Sequence, residues 1–168
     1  MRWKHCYKNN KLQKEQRKLS RMKKGGRNRF KQRVRLAKLH EKIANQRKDF
    51  LHKTARQIAN VYDCVCMEDL DMKEMSQIMD FGRSIHDNGW GIFTKLLEYK
   101  LEEQGKQLIK IDKWYPSSQI CHVCGYKNEQ LKDISIRRWE CPKCHAKHDR
   151  DYNASINILK EGMRLASQ

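Results

Sequence analysis

Apolar residues are sparse at the start of the chain and fall into two different periods further on. Leu12, Leu19 and Met22 form a weak stripe among lysines and arginines, so residues 11–23 predict a short helix. The paired glycines of KGGRN (Lys24–Asn28) predict a turn. From about Phe30 to Tyr62, Leu36, Leu39, Ile43, Phe50, Thr54, Ile58 and Val61 recur at three and four residues, with Arg47 filling one step. That period, uninterrupted by proline, predicts a long second helix and hence a helical hairpin. At Cys64–Met67 the pattern becomes continuously apolar, which suits a strand covered on both faces, and it ends in Glu68 and Asp69.

The second half alternates elements. Residues 73–87 lack a period and predict a loop. Asp87 or Asn88 is placed to cap a helix from Trp90 to Gln104, in which Trp90, Phe93, Leu96, Leu97 and Leu101 share a face. Gly105 is its expected stop. QLIKID (Gln107–Asp112) predicts a second strand. A cysteine-rich stretch, 114–148, precedes a last helix from about Asp151 to Leu165, with Ala154, Ile158 and Leu159 turned inward. This order predicts an α/β fold containing part of a sheet.

Composition narrows the class. A chain of 168 residues has room for one domain and a small metal module. Mean hydropathy is −0.99 and 34% of residues are charged, so the core is modest. No apolar run approaches the roughly 18 residues of a membrane span, and the first residues carry no apolar leader segment. The net charge of +17 is unevenly placed. Residues 1–56 hold 21 Lys and Arg against 3 Asp and Glu, and residues 57–168 hold 16 against 17. A helical surface so basic repels itself unless a polyanion lies on it, which points to nucleic acid. A solvated basic helix without a partner is the plain alternative. Lys23, Lys24, Arg27, Arg29, Lys31, Arg33, Arg35 and Arg47 are the candidate phosphate contacts.

Four of the seven cysteines form two C-x-x-C pairs: Cys121 and Cys124, then Cys141 and Cys144 after sixteen intervening residues. Two close thiolate pairs match what tetrahedral Zn²⁺ requires, so the pattern predicts a structural zinc ribbon rather than disulfides. A redox dithiol would not need four cysteines. Gly125 permits the tight turn of the first knuckle, and Ile134–Cys141 alternates as a strand would. His122, His145 and His148 read as polar surface. Cys64 and Cys66 read as small apolar groups in a strand, and Cys6 is left over. Free thiols and metal-type spacing imply a reducing cytoplasm.

Three carboxylates remain. Glu68 ends a buried strand, and Asp149 and Asp151 flank the start of the last helix. Acids at helix starts are ordinarily caps. Carboxylates gathered at strand and helix ends can instead hold Mg²⁺, which takes few protein ligands and leaves room for phosphate oxygens.

The motifs LAKLHEKIANQRKDFLHK (Leu36–Lys53), VCMEDLDM (Val65–Met72), GWGIFTKLLEYK (Gly89–Lys100), YPSSQICHVCGY (Tyr115–Tyr126) and WECPKCHAKHDRDYNASINIL (Trp139–Leu159) stand in the order found in TnpB proteins of bacterial insertion sequences. The chain resembles that family over nearly its whole length. The resemblance implies a RuvC-like, RNase H-type fold and an RNA-guided, metal-dependent DNA endonuclease. It implies that Glu68 and Asp151, with Asp149 the second choice, are catalytic and bind Mg²⁺. It places Cys121, Cys124, Cys141 and Cys144 on the family's zinc ribbon, and DNA and guide RNA as partners, with Arg150 a further phosphate contact. The expected layout is a basic helical hairpin at 1–62, a partial RuvC-like domain at 63–113 and 149–168, and a zinc ribbon insert at 114–148. The family's first acid lies in a Gly-Ile-Asp motif that this sequence lacks. The chain is therefore expected to be a C-terminal portion, inactive alone, that works with a full-length relative or a missing N-terminal part, in the bacterial cytoplasm and at the nucleoid when bound. The alternative is a zinc-containing nucleic-acid-binding accessory protein without catalysis.

Phosphate tracking by the basic segment makes a measurable demand. Affinity for duplex DNA, read by fluorescence anisotropy, should fall on the order of a thousandfold between about 50 and about 200 mM salt if six or more phosphates are contacted. A flat salt response would remove this reading of residues 1–56.

Overall fold

A computed structural model of the chain describes residues 5–70 and 89–167, with side chains from residue 11 onward. It divides into two compact units, Met1–Thr54 and Ala55–Gln168. The expected loop at 73–87 and the caps Asp87 and Asn88 lie outside the described residues, as does the side chain of Cys6.

In the first unit, α1 (His5–Ser20) turns back into α2 (Arg27–Val61), whose residues to Thr54 belong here. α1 starts and stops earlier than its apolar stripe suggested. Polar side chains join the pair. Arg29 Nη1 donates to the carbonyls of Leu19 at 2.7 Å and Met22 at 3.1 Å, placing a cation on the electronegative end of α1. The buried Gln32 amide donates to Glu15, to its carbonyl at 3.2 Å and its Oε2 at 2.7 Å. That amide bond, helped by the Arg35, Lys18 and Lys11 charges against partial burial, holds the Glu15 carboxyl below its usual range. Leu36, Leu39 and Ile43 are only half-buried, so apolar packing contributes less to this hairpin than their spacing suggested.

In the second unit, β1 (Cys64–Glu68) and β2 (Gln107–Ile111) pair in parallel, from Cys64 opposite Gln107 to Glu68 opposite Ile111. The ladder is extended at both ends, by Gln107 N–H to the Asp63 carbonyl at 3.1 Å and Asp69 N–H to the Ile111 carbonyl at 3.0 Å. Helix α3 (Trp90–Glu102) lies between the strands in sequence, and α4 (Arg150–Ala166) packs on both strands.

Strand alternation assigns the two faces. Val65 and Leu108 pack with Leu97 and Leu101 of α3 and with Ala55, Ile58 and Ala59 of α2. Ala55 and Ala59 are fully buried while Val61 is 69% exposed, so the sequence stripe ran one step away from the true contact line. Small alanines carried the contact because they allow close helix approach. Lys106 Nζ donates to the Ala59 carbonyl at 2.6 Å and lies 3.4 Å from Asp63, tying the end of α2 to the start of β2. On the other face, Cys66 and Ile109 meet α4. Here α4 differs from its expected orientation: Leu159 is 50% exposed, and Asn153, Asn157 and Gly162 are the buried residues. Between β2 and α4 lies the cysteine module. It holds a short 3-10 turn (Glu129–Lys132) and an antiparallel pair, β3 (Arg138–Glu140) with β4 (Lys147–Asp149). The predicted strand from Ile134 forms only over Arg138–Glu140. Asp133 turns the segment before it by accepting the Ser135 N–H at 2.8 Å.

Gly162 sets how closely α4 approaches the sheet. A Cβ there would overlap Cys66 Sγ and sit 2.8 Å from Cys66 Cβ. Gly162→Ala is therefore expected to destabilise the chain by about 1–3 kcal/mol through overpacking. Gly91, near the start of α3 with open space around it, is the control: Gly91→Ala should be neutral or stabilising by less than about 1 kcal/mol. Urea denaturation of both variants checks this, and equal stabilities would refute the close-approach account.

Candidate metal centre and carboxylate edge

Two knuckles with the same backbone plan build the cysteine cluster. In the first, Gly125 N–H donates to the Cys121 carbonyl at 2.9 Å, and Cys121 N–H to the Tyr126 carbonyl at 2.8 Å. In the second, His145 N–H donates to the Cys141 carbonyl and Cys141 N–H to the Ala146 carbonyl, both at 2.9 Å. The position after each second cysteine needs a left-handed backbone. Gly125 takes φ 74°, and His145 takes φ 58°, so a histidine occupies the second knuckle's glycine slot.

The four Sγ atoms all lie within 4.8 Å of one another. Cys121 and Cys144 are 3.7 Å apart, and Cys124 and Cys141 are 3.6 Å apart. A tetrahedral ion with metal–sulfur bonds of about 2.3 Å spaces its ligands about 3.8 Å apart, so the set fits such an ion. Burial opposes ionisation of Cys141, but the backbone N–H groups of Cys144 and Lys143 and the neighbouring thiols lower it to about 7. Leu131, Trp139 and Ile136 pack against the sulfurs.

His148 is not surface, as its sequence position suggested, but 5% exposed. It packs on Trp139 at a 40° tilt with centroids 4.5 Å apart, and its Nε2 lies 3.1 Å from Cys121 Sγ. Burial, then the charge of His122, lowers its pKa, so it stays neutral and can offer an N–H to the sulfur. His145 is exposed beside Glu140 at 3.3 Å.

The start of α4 fastens the first knuckle to the sheet. Asn153, fully buried, accepts on Oδ1 from the His122 N–H at 3.0 Å and pairs with His122 Nδ1 at 2.9 Å. Its Nδ2 donates to the Ile120 carbonyl at 2.7 Å. Asn157 Nδ2 donates to the same carbonyl at 2.6 Å and to that of Ser117 at 2.8 Å. The Ser117 hydroxyl in turn donates to Glu68 Oε1 at 2.6 Å. Sequence reading missed Ser117 and Asn157, although asparagines one turn apart on a helix face were a visible signal.

Each candidate acid sits differently. Glu68 is half-buried at the end of β1. Asp149 is the N-cap of α4, accepting on Oδ1 from the N–H groups of Asp151 at 3.1 Å and Tyr152 at 3.2 Å. Asp151 is 80% exposed and 3.5 Å from Arg137. Among the described residues, the four cysteines form the one cluster of three or more ligating side chains, and Glu68, Asp149 and Asp151 belong to none. Arg150 spends part of its guanidinium on the Asp133 carbonyl at 2.7 Å. Lys23, Lys24, Arg27, Lys31, Arg33 and Arg35 are exposed, Arg35 within 3.8 Å of Glu15, while Arg29 is committed to α1 and Arg47 is half-buried. No helix among the described residues is long and apolar enough to cross a membrane.

Comparison with known proteins bears on this arrangement. Residues 90–158 match the family model described as Cas12f1-like, TNB domain, and residues 4–79 match one described as probable transposase. A Streptomyces pristinaespiralis protein, provisionally named an RNA-guided DNA endonuclease, is 39% identical over 93% of this chain and 38% of its own length. The Escherichia coli protein InsQ, provisionally given the same activity, is 31% identical over 90% of this chain and 41% of its own length. A TnpB-like protein of Acanthamoeba polyphaga mimivirus is 26% identical over 77% of this chain and 25% of its own. The chain thus spans well under half the length of these relatives. Two cryo-EM structures, of a Cas12f1–sgRNA–target DNA complex and of a CRISPR–Cas12f ternary complex, share the fold at TM-score 0.62. They cover 89% and 90% of this chain at 24% and 25% identity, and 40% and 32% of their own chains.

Co²⁺ gives the four-thiolate cluster a direct test. It should produce the intense visible bands of a tetrahedral thiolate site at about one ion per chain, and Cys141→Ala should abolish them. Because the ligands bind as thiolates, apparent affinity should fall steadily as pH drops, already above 7 because Cys121 and Cys144 are raised, and more steeply below about 7, where Cys141 also takes up its proton. Octahedral Co²⁺ spectra, or pH-independent binding, would contradict the fit.

Proposed function

The chain belongs to the TnpB family, and from that premise we propose that it supplies the second and third metal-binding acids and the zinc ribbon of an RNA-guided DNA endonuclease. The observation that carries this reading is the joining of the strand-end acid Glu68 to the cysteine module through Ser117 and α4. In open α/β sheets, ligands collect beyond the carboxyl ends of parallel strands, where Glu68 stands. We read the β1–β2 sheet with α3 and α4 as part of an RNase H-like, RuvC-type domain at 63–113 and 149–168. Residues 114–148 are its zinc ribbon insert, and 1–62 a basic helical hairpin.

Zn²⁺ is the proposed occupant of Cys121, Cys124, Cys141 and Cys144, since a closed set of four thiolates suits a structural site. Mg²⁺ is the proposed partner of Glu68 and Asp151. Their oxygen-only donors suit a hard cation, and Glu68 Oε2 takes no hydrogen bond from the described residues. Asp151 is preferred to Asp149 because the resemblance assigns it first and because Asp149 is turned onto the backbone as the helix cap, while Asp151 is 80% exposed beside Arg137. When bound, such an ion activates water and stabilises the leaving oxygen in phosphodiester hydrolysis. This chain's own contribution is to hold Glu68 in one orientation and to present Asp151 at the helix start. The exposed cations Lys23, Lys24, Arg27, Lys31, Arg33 and Arg35 are the proposed contacts to guide RNA and DNA. Arg29, Arg47 and Arg150 are further contacts through whatever donors their internal bonds leave. The bacterial cytoplasm is the proposed compartment.

A graft tests the reading without asking this segment to act alone. In it, the chain replaces the corresponding segment of a cleavage-competent relative, and guided DNA cleavage is measured with Mg²⁺. The graft should cut. Glu68→Gln or Asp151→Asn should each reduce cutting by more than the about 10- to 100-fold typical of losing an outer partner of a metal ligand. A graft that binds guide and target but is indifferent to both substitutions would leave only the accessory nucleic-acid-binding role.

A further inference from the structure

Ser117 has no place in the ligand sets above, yet it is the side chain that touches the proposed strand-end ligand. It is 6% exposed, and its hydroxyl donates to Glu68 Oε1 at 2.6 Å, within the short range of hydrogen bonds to a charged carboxylate. Its backbone is fixed as well. The Ser117 N–H returns to the Tyr115 carbonyl at 2.7 Å, and its carbonyl accepts from Asn157 Nδ2 at 2.8 Å. Asn157 is itself 2% exposed and also holds the Ile120 carbonyl, next to Cys121. One short strap, 117–122, therefore carries the Glu68 contact at one end and a metal-type knuckle at the other. The asparagines of α4 clamp it between.

We propose that Ser117 is a positioning residue for Glu68, holding Oε1 so that Oε2 faces outward for a divalent cation, and that Asn157 seats Ser117 for this task. The proposal rests on the reading of Glu68 as a cation ligand. A hydroxyl that fixes one carboxylate oxygen removes the freedom of the carboxylate to rotate away from the ion. Outer partners of this kind typically change metal affinity about 10- to 100-fold when removed. The same strap explains why a cysteine module stands between β2 and α4: the knuckle closes the far end of the segment that aims Glu68.

Mn²⁺ titration of the full chain provides the test, followed by paramagnetic broadening of the Ile111 methyls, which neighbour Glu68 across the ladder. The carboxylate carbon of Glu68 is followed by NMR in the same samples. Ser117→Ala should weaken Mn²⁺ binding about 10- to 100-fold and shift the Glu68 carbon in the metal-free chain. Ser117→Thr, which keeps the hydroxyl, should restore most of both. Glu68→Gln should remove the broadening. Wild-type binding in Ser117→Ala, or an unmoved Glu68 carbon, overturns the positioning role while leaving Glu68 as a ligand. Equal losses in the alanine and threonine variants would assign the effect to packing rather than to the hydroxyl, and overturn it too. If Glu68→Gln changes nothing, or wild type shows no broadening at Ile111, the reading of Glu68 falls, and the role of Ser117 in holding a cation falls with it.

Discussion

Two buried side-chain amides, those of Asn153 and Asn157, hold the second unit in its working shape. A helix that packs on a sheet usually does so with aliphatic side chains. Helix α4 instead turns both asparagines inward and brings a bare glycine against Cys66. Buried amides are costly unless every strong bond is made. Here Asn153 bonds through both its oxygen and its nitrogen and Asn157 donates twice, with the carbonyls of Ser117 and Ile120 and His122 as partners, all on one stretch of chain. The helix thereby selects one conformation of that stretch, because a displaced strap would leave two polar groups unpaired in the interior. The cysteine knuckle and the Glu68 contact inherit that selection.

The two cysteine knuckles show how little sequence identity is needed once the geometry is fixed. One uses glycine and the other histidine at the left-handed position, and both make the same pair of backbone hydrogen bonds. Amides directed at sulfur then lower Cys141 to about 7 against its burial. The neutral, buried His148 adds a contact to Cys121 from outside the ligand set. Trp139 and His148 face each other across the β3–β4 ladder, so the module's apolar core and its sulfur chemistry are one packing problem.

Much of this was readable from residue order. The C-x-x-C pairs, the long basic helix, the two strands and the final helix could be named because spacing and period carry them. Side chains whose role depends on depth could not. Ala55 and Ala59 are weak signals in an apolar pattern but are the fully buried contacts of α2, whereas Val61 is strong in the pattern and exposed. Leu159 was misplaced for the same reason, since α4 is oriented by asparagine hydrogen bonds that hydrophobic periodicity does not register. His148 looked like surface because a histidine beside a cysteine pair is usually polar trim. Only the pairing of β3 with β4 puts it opposite Trp139. Ser117 was invisible because its meaning lies in a partner 49 residues away in sequence.

Charge is handled differently in the two units. In the first unit Glu15 is used internally, taking the Gln32 amide and lying near Arg35, and Arg29 is spent on the end of α1. Those bonds fix the hairpin through polar contacts on its inner side, leaving Lys23, Lys24, Arg27, Lys31 and Arg33 exposed. Surface cations gain little from single pairs but sum strongly along a polyanion, and they do so in a salt-dependent way. In the second unit, acids and bases nearly balance, and surface pairs such as Asp151 with Arg137 are loose and solvated. Such a weak pair can be given up at little cost, unlike a buried one. An exposed ion pair is easily exchanged for a metal, whereas breaking a buried pair would leave a charge without compensation. Asp149 and Asp151 differ in the same way: Asp149 Oδ1 is bound to the backbone as a cap, and Asp151 is held by its exposed pair with Arg137.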